Sequence, residues 1–103
     1  MFGRRRFGDV IDRQLDLFER EYRDVIDEAQ ERLEAYNAAG RDEAEELYGD
    51  YVDATETGTE VLADLRDHFA STLDDDAAER YEREFNAAVA KRLPAFALEI
   101  NER

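Results

Sequence analysis

DATETGTE, residues 53–60, is the stretch on which the architecture turns. Three threonines lower helix propensity here, and Gly58 alone costs ~1 kcal/mol relative to alanine in a helix interior. Thr57 with Glu60 even has the spacing of a capping box, which would start a new helix. The apolar positions argue the other way. Ala44, Leu47, Tyr51, Ala54, Gly58, Val61 or Leu62, Leu65, Phe69 and Thr72 keep steps of three and four through the stretch, and a break would reset that phase. The sequence therefore predicts one helix from Asp42 to Thr72, opened by Asp42 and Glu45 in capping-box spacing. Gly58 then faces the core, where the missing side chain admits a close neighbour.

Upstream, Ile11, Leu15, Phe18, Tyr22, Val25 or Ile26, Ala29, Leu33 and Tyr36 repeat the same steps, which predicts a first helix from Asp9 to Ala39. Asp9 is its expected cap and Gly40 its stop. Downstream, DDDAAERYEREF (74–85) opens a third helix, with Asp76 and Glu79 in capping spacing and Ala78, Tyr81, Phe85, Ala88 or Val89, Arg92 or Leu93, Phe96 and Ile100 as its stripe. Pro94 lies inside that stripe. It lacks an N–H and clashes with the preceding turn, so the helix should kink or break near Arg92 and restart with Pro94 in a first turn. Short connections make neighbouring helices antiparallel. The expected fold is all-α: an antiparallel up-down-up bundle of three long helices over residues 9–103, preceded by a flexible basic arm at 1–8. The first two helices should each be roughly 45 Å long. The architecture is analogous to a spectrin-type triple helix, and no motif ties the chain to a family.

The 103 residues include 28 Asp and Glu against 14 basic residues, for a formal net charge of -14. Only Lys91 is a lysine. Acid, alanine and arginine without lysine resembles the proteins of salt-in halophiles, whose concentrated KCl shortens the Debye length to ~3 Å at 1 M and screens self-repulsion. On that reading the acidity reports a cytoplasmic compartment and not a basic partner. The longest apolar runs fall far short of the ~20 residues that span a bilayer, so no membrane span is expected. FGDVIDRQLDLFE (7–19) breaks any apolar export region with its aspartates, so the opening arginines are not expected to form an export signal.

Chemistry-bearing residues are few. There is no cysteine, one histidine and one serine, and His68 with Ser71 at helix spacing lacks an oxyanion site. A carboxylate-bridged metal pair in a helical bundle needs Glu-x-x-His pairs, and none occurs. The aspartates at 74–76 read as a cap. The expectation is no enzyme, no catalytic residue, no metal and no cofactor, with Tyr22, Tyr36, Tyr51 and Tyr81 serving the core.

Two features remain. Arg4, Arg5 and Arg6 precede helix one, where positive charge opposes the macrodipole, so helix stability is not their purpose. Val10 and Leu17 sit about 100° round helix one from its core stripe, a landing strip for Phe2 and Phe7 or for another chain. Tyr48 and Val52 lie off the main stripe of helix two. These nine residues are the candidate partner-binding set. The leading expectation is a non-enzymatic helical interaction module that forms a homodimer or docks a helical protein partner. A nucleic-acid-associated role for the arginine arm is the first alternative, disfavoured because the acidic body repels polyanions. An oligomeric bundle holding a metal or small ligand between subunits is the second.

Overall fold

The computed structural model describes residues 7–103. Among them, five α-helices stand where three were expected: α1 (Gly8–Glu21), α2 (Arg23–Asn37), α3 (Arg41–Ala70), α4 (Asp75–Arg92) and α5 (Ala97–Glu102), with a 3-10 turn at Pro94–Phe96 before α5. The protein is all-helical and measures 48 × 25 × 25 Å.

Through DATETGTE, α3 is unbroken for 30 residues. Gly58 is buried, and a Cβ there would lie 2.8 Å from Cζ of Phe96. The threonines that weaken a helix in isolation are used across it. Thr55 and Thr59 are fully buried, with Oγ1 atoms 3.2 and 3.3 Å from Oε1 of Glu99. Tyr51 donates its hydroxyl to the carbonyl of Ala95 at 2.6 Å, and Arg66 donates to the carbonyl of Ile100 at 3.1 Å. Four side chains of α3 thus hold the last segment, and the low-propensity stretch is the price of that attachment. Arg66 is 4 % exposed; its guanidinium is also met by Asn86 at 3.1 Å and Asp67 at 2.8 Å.

The first expected helix is two. At Tyr22 the backbone leaves helical values, with φ -122° and ψ 34°. A strict seven-residue stripe drifts ~20° per heptad on a straight helix, so about 80° over four heptads. A long helix must supercoil or break to keep facing one neighbour, and here it breaks. Below Tyr22, α1 packs on α4; above it, α2 packs along α3. Steps of three and four pass through Tyr22 unchanged, which hides the break from periodicity.

Three helix starts also differ from expectation. Gly8 already belongs to α1, so Asp9 lies in the first turn and not at the cap. Gly40 occupies the cap of α3, which places Asp42 in its first turn. Asp74 caps α4, accepting from the N–H of Ala77 at 2.9 Å, while Asp76 is two residues inside the helix. At the other end α4 stops at Arg92, and Pro94 takes the first position of the 3-10 turn, where no helical N–H is needed. This reversal brings Phe96 beneath Gly58, edge-on to Phe18 with centroids 6.0 Å apart. Ile11, Leu15, Leu62, Tyr81, Phe85, Val89 and Ile100 complete the fully buried core.

Candidate interaction surface

The break at Tyr22 has a consequence on the opposite side of α1. Once α1 turns toward α4, the second half of α3 loses the helix that α2 supplies to its first half. Between α1 and α3 runs a groove of about 860 Å³, bounded by Gln14 and Tyr22 on one wall and by Val61, Asp64, Leu65, His68 and Phe69 on the other. Val61, Leu65 and Phe69 recur at intervals of four, one ridge of α3, and all three are half-buried. A second ridge, Leu62, Arg66 and Ala70, faces the core. The face of α3 is therefore wider than its own neighbours cover.

Gln14 is fixed in the α1 wall by the Tyr81 hydroxyl, which donates to its side-chain oxygen at 2.9 Å. Burial pushes the Tyr81 hydroxyl up to about 12. Arg92 ties the far side of α1 to α4, reaching Asp16 at 2.7 Å and Glu19 at 3.0 Å. Helix α1 is thus held at two levels of α4, near its middle by Tyr81 and at its end by Arg92. Ser71 and Thr72 donate their hydroxyls to the carbonyls of His68 and Phe69, closing the α3 end of the groove. Ser71 is engaged in this way with the backbone of His68 and not with its ring.

The candidate residues do not form one site. Phe2, Arg4, Arg5 and Arg6 lie outside the described residues. Phe7, expected on the Val10 and Leu17 strip, packs into its own chain instead: its ring is edge-on to Tyr81 at 5.5 Å and to Phe69 at 6.4 Å, and its N–H donates to Glu84 at 3.1 Å. Tyr81 and Phe69 offer it two aromatic faces in the core, a better site than an exposed strip. Val10 leans on the core, and Leu17 is 45 % exposed. Both lie within one turn of Gln14, so the α1 strip is the outer continuation of the groove wall. Val52 is partly buried against the core, whereas Tyr48 is 41 % exposed and meets Tyr36 at 5.3 Å and Tyr51 at 6.1 Å. The Tyr48 and Tyr51 side of this cluster sits on the first half of α3, roughly 20–25 Å along the helix from Leu65 at 1.5 Å per residue.

Sequence reasoning assigned Val61 or Leu62, Leu65 and Phe69 to the core; Val61 and Phe69 do pack against it, and the groove that they and Leu65 also line was missed. The signal was present in "Val61 or Leu62": two adjacent ridges, each apolar, mark a face that needs two partners. Among the described residues no group of three or more His, Asp or Glu side chains is placed to hold a metal ion, and no helix is long and apolar enough to cross a membrane. Comparison with protein-family models, with curated proteins and with solved structures returns no match.

Proposed function

We propose that the chain is a non-enzymatic helical interaction module of a concentrated-salt cytoplasm, which holds a helix of a second protein chain in the groove between α1 and α3. One observation carries the reading: Val61, Leu65 and Phe69, spaced by four, line one wall of the groove and stay only half-buried although Val61 and Phe69 also touch the core, and Leu17 stands exposed on the outer continuation of the α1 wall. An amphipathic helix laid into such a groove buries an i, i+4, i+8 ridge of its host and supplies the missing neighbour. Tyr81 holds Gln14 in the wall and Arg92 holds α1 from its far side, an arrangement that leaves little ordering entropy to oppose docking.

The test uses a labelled synthetic helical peptide with leucines on one face, titrated with the protein by fluorescence anisotropy. Leu65→Glu places a charge in the α3 wall of the groove and should weaken binding at least about tenfold, a loss of about 1.4 kcal/mol. Circular dichroism and thermal melting of the variant establish that the fold is retained. Equal binding by the parent chain and Leu65→Glu would rule out the groove as the docking site.

A further inference from the structure

We propose that the occupant of the groove is a second copy of this chain, placed by a two-fold axis that runs along the groove between α1 and α3. This rests on the docking reading above and adds the identity of the partner.

The outer rims of the groove carry opposite charge, although exposed Glu21 stands inside the α1 rim, between Gln14 and Leu17 round the helix. On α1, the residues next round the helix beyond Leu17, by about 50° at 100° per residue, are Arg13 and Arg20. Both are exposed. On α3, the residues next round beyond Val61 are Asp64, which lines the groove, and Glu60, which is exposed. A groove with one basic and one acidic rim is self-complementary under one operation. A two-fold axis parallel to the helices sets α1 of each copy over α3 of the other, so that Arg13 and Arg20 meet Glu60 and Asp64 twice. The perpendicular in-plane axis would instead set α1 on α1 and α3 on α3, like charge on like.

The same axis leaves every residue at its own level along the groove. Phe7 marks one end of α1 by its contact with Phe69, and Tyr22 marks the other by lining the groove with Val61. Leu17 lies between them in the chain, at the level of the α3 turns that carry Val61 and Leu65. Each copy therefore delivers its exposed Leu17 to the ridge that the other leaves open. Net charge opposes this pairing, because two bodies of -14 repel. Salt shortens that repulsion while the apolar contact persists, so the dimer is expected to strengthen with KCl.

The experiment is absolute mass by size-exclusion chromatography with light scattering, from low salt to about 1 M KCl, where the Debye length is ~3 Å. The parent chain should move from 12.0 kDa toward twice that mass as KCl rises. Leu17→Glu should be monomeric throughout. Charge reversal then tests the axis at intermediate salt. Arg13→Glu with Arg20→Glu should dissociate the dimer, and adding Glu60→Arg with Asp64→Arg should restore it. Glu60→Arg with Asp64→Arg alone carries the deciding sign: it lowers the net charge from -14 to -10, so net repulsion alone predicts a tighter dimer, whereas rim pairing predicts a weaker one. A tighter dimer from that variant overturns the proposal, as does a parent chain that stays monomeric in every salt. In the monomeric case, a leucine-faced peptide that still binds and is lost with Leu65→Glu leaves the docking reading standing and removes only the second copy. A dimer that survives both Leu17→Glu and Leu65→Glu, with no peptide binding, removes both.

Discussion

Gly58 and Gly49 occupy the same helix and answer differently to the same substitution. Alanine in place of a mid-helix glycine gains ~1 kcal/mol of backbone propensity wherever the new methyl has room. At Gly49 nothing lies within 4 Å of the added Cβ, so Gly49→Ala should raise stability by about 0.5–1 kcal/mol. At Gly58 the methyl meets the ring of Phe96, which is fully buried and held edge-on by Phe18, so the ring has no cheap exit. Overpacking of this kind costs about 1–3 kcal/mol and outweighs the propensity gain, so Gly58→Ala should lower the melting temperature while Gly49→Ala raises it. Thermal denaturation of the two variants side by side checks the sign. Tyr81 supplies a pH effect of the same local origin. Burial, the largest cause, raises its hydroxyl from 10.0 to about 12, so the folded chain keeps a proton that the unfolded chain has released. Its contribution is whole below pH 10 and is lost as pH climbs toward 12. Burial also raises Tyr51, which acts in the same direction. Alkaline melting curves should fall through that window, and Tyr81→Phe should flatten the fall.

Element boundaries show where sequence reading works and where it stops. Pro94 announces its break because its covalent structure forbids the helix, whatever surrounds it. Gly58 was readable because apolar phase continues on both sides of it. The break at Tyr22 was not, since no residue there opposes a helix and the cause is the accumulated drift of a long stripe between two different neighbours. The groove follows from that break, which is why the strip at Leu17 is legible in the sequence while the outer side of a ridge that also touches the core is not. The polar attachment of α5 was invisible for a related reason. Glu99 is 44 residues from Thr55 and 40 from Thr59 in the chain and meets them only because Pro94 reverses it. Replacing both threonines by valine keeps their shape and removes the partners of a half-buried Glu99 oxygen. Each lost bond is worth about 0.5–1.5 kcal/mol, so the double variant should lose about 1–3 kcal/mol. The loss should be local as well as global, with faster amide exchange at residues 95–102 than elsewhere, whereas uniform acceleration would mean that α5 does not open on its own.

For the whole molecule, two electrostatic effects respond to salt with opposite sign. Screening relieves the repulsion of 14 excess negative charges on a body 48 × 25 × 25 Å, which stabilises the fold. It also weakens ion pairs such as Arg92 with Asp16 and Glu19, which destabilises it. Magnitude decides between them. Partly exposed pairs contribute about 0–1 kcal/mol each, and Arg92 is the basic residue that ties α1 to α4, so the pair term is small. The net charge acts between every acidic side chain at once and should win. Stability is therefore expected to rise with KCl, and a gain of about 2 kcal/mol would appear as roughly 10 °C in melting temperature for a chain of this size. The shape of the rise separates its causes. Screening is nearly exhausted once the Debye length reaches ~3 Å at 1 M, so an electrostatic gain is steep at low salt and flat above that point. A gain that continues in proportion to salt beyond it would instead report strengthened apolar burial, and should then be larger in sulfate than in chloride. A melting temperature that falls over the first few tenths molar would mean that the Arg92 network outweighs the net charge, and Arg92→Met should then abolish the fall.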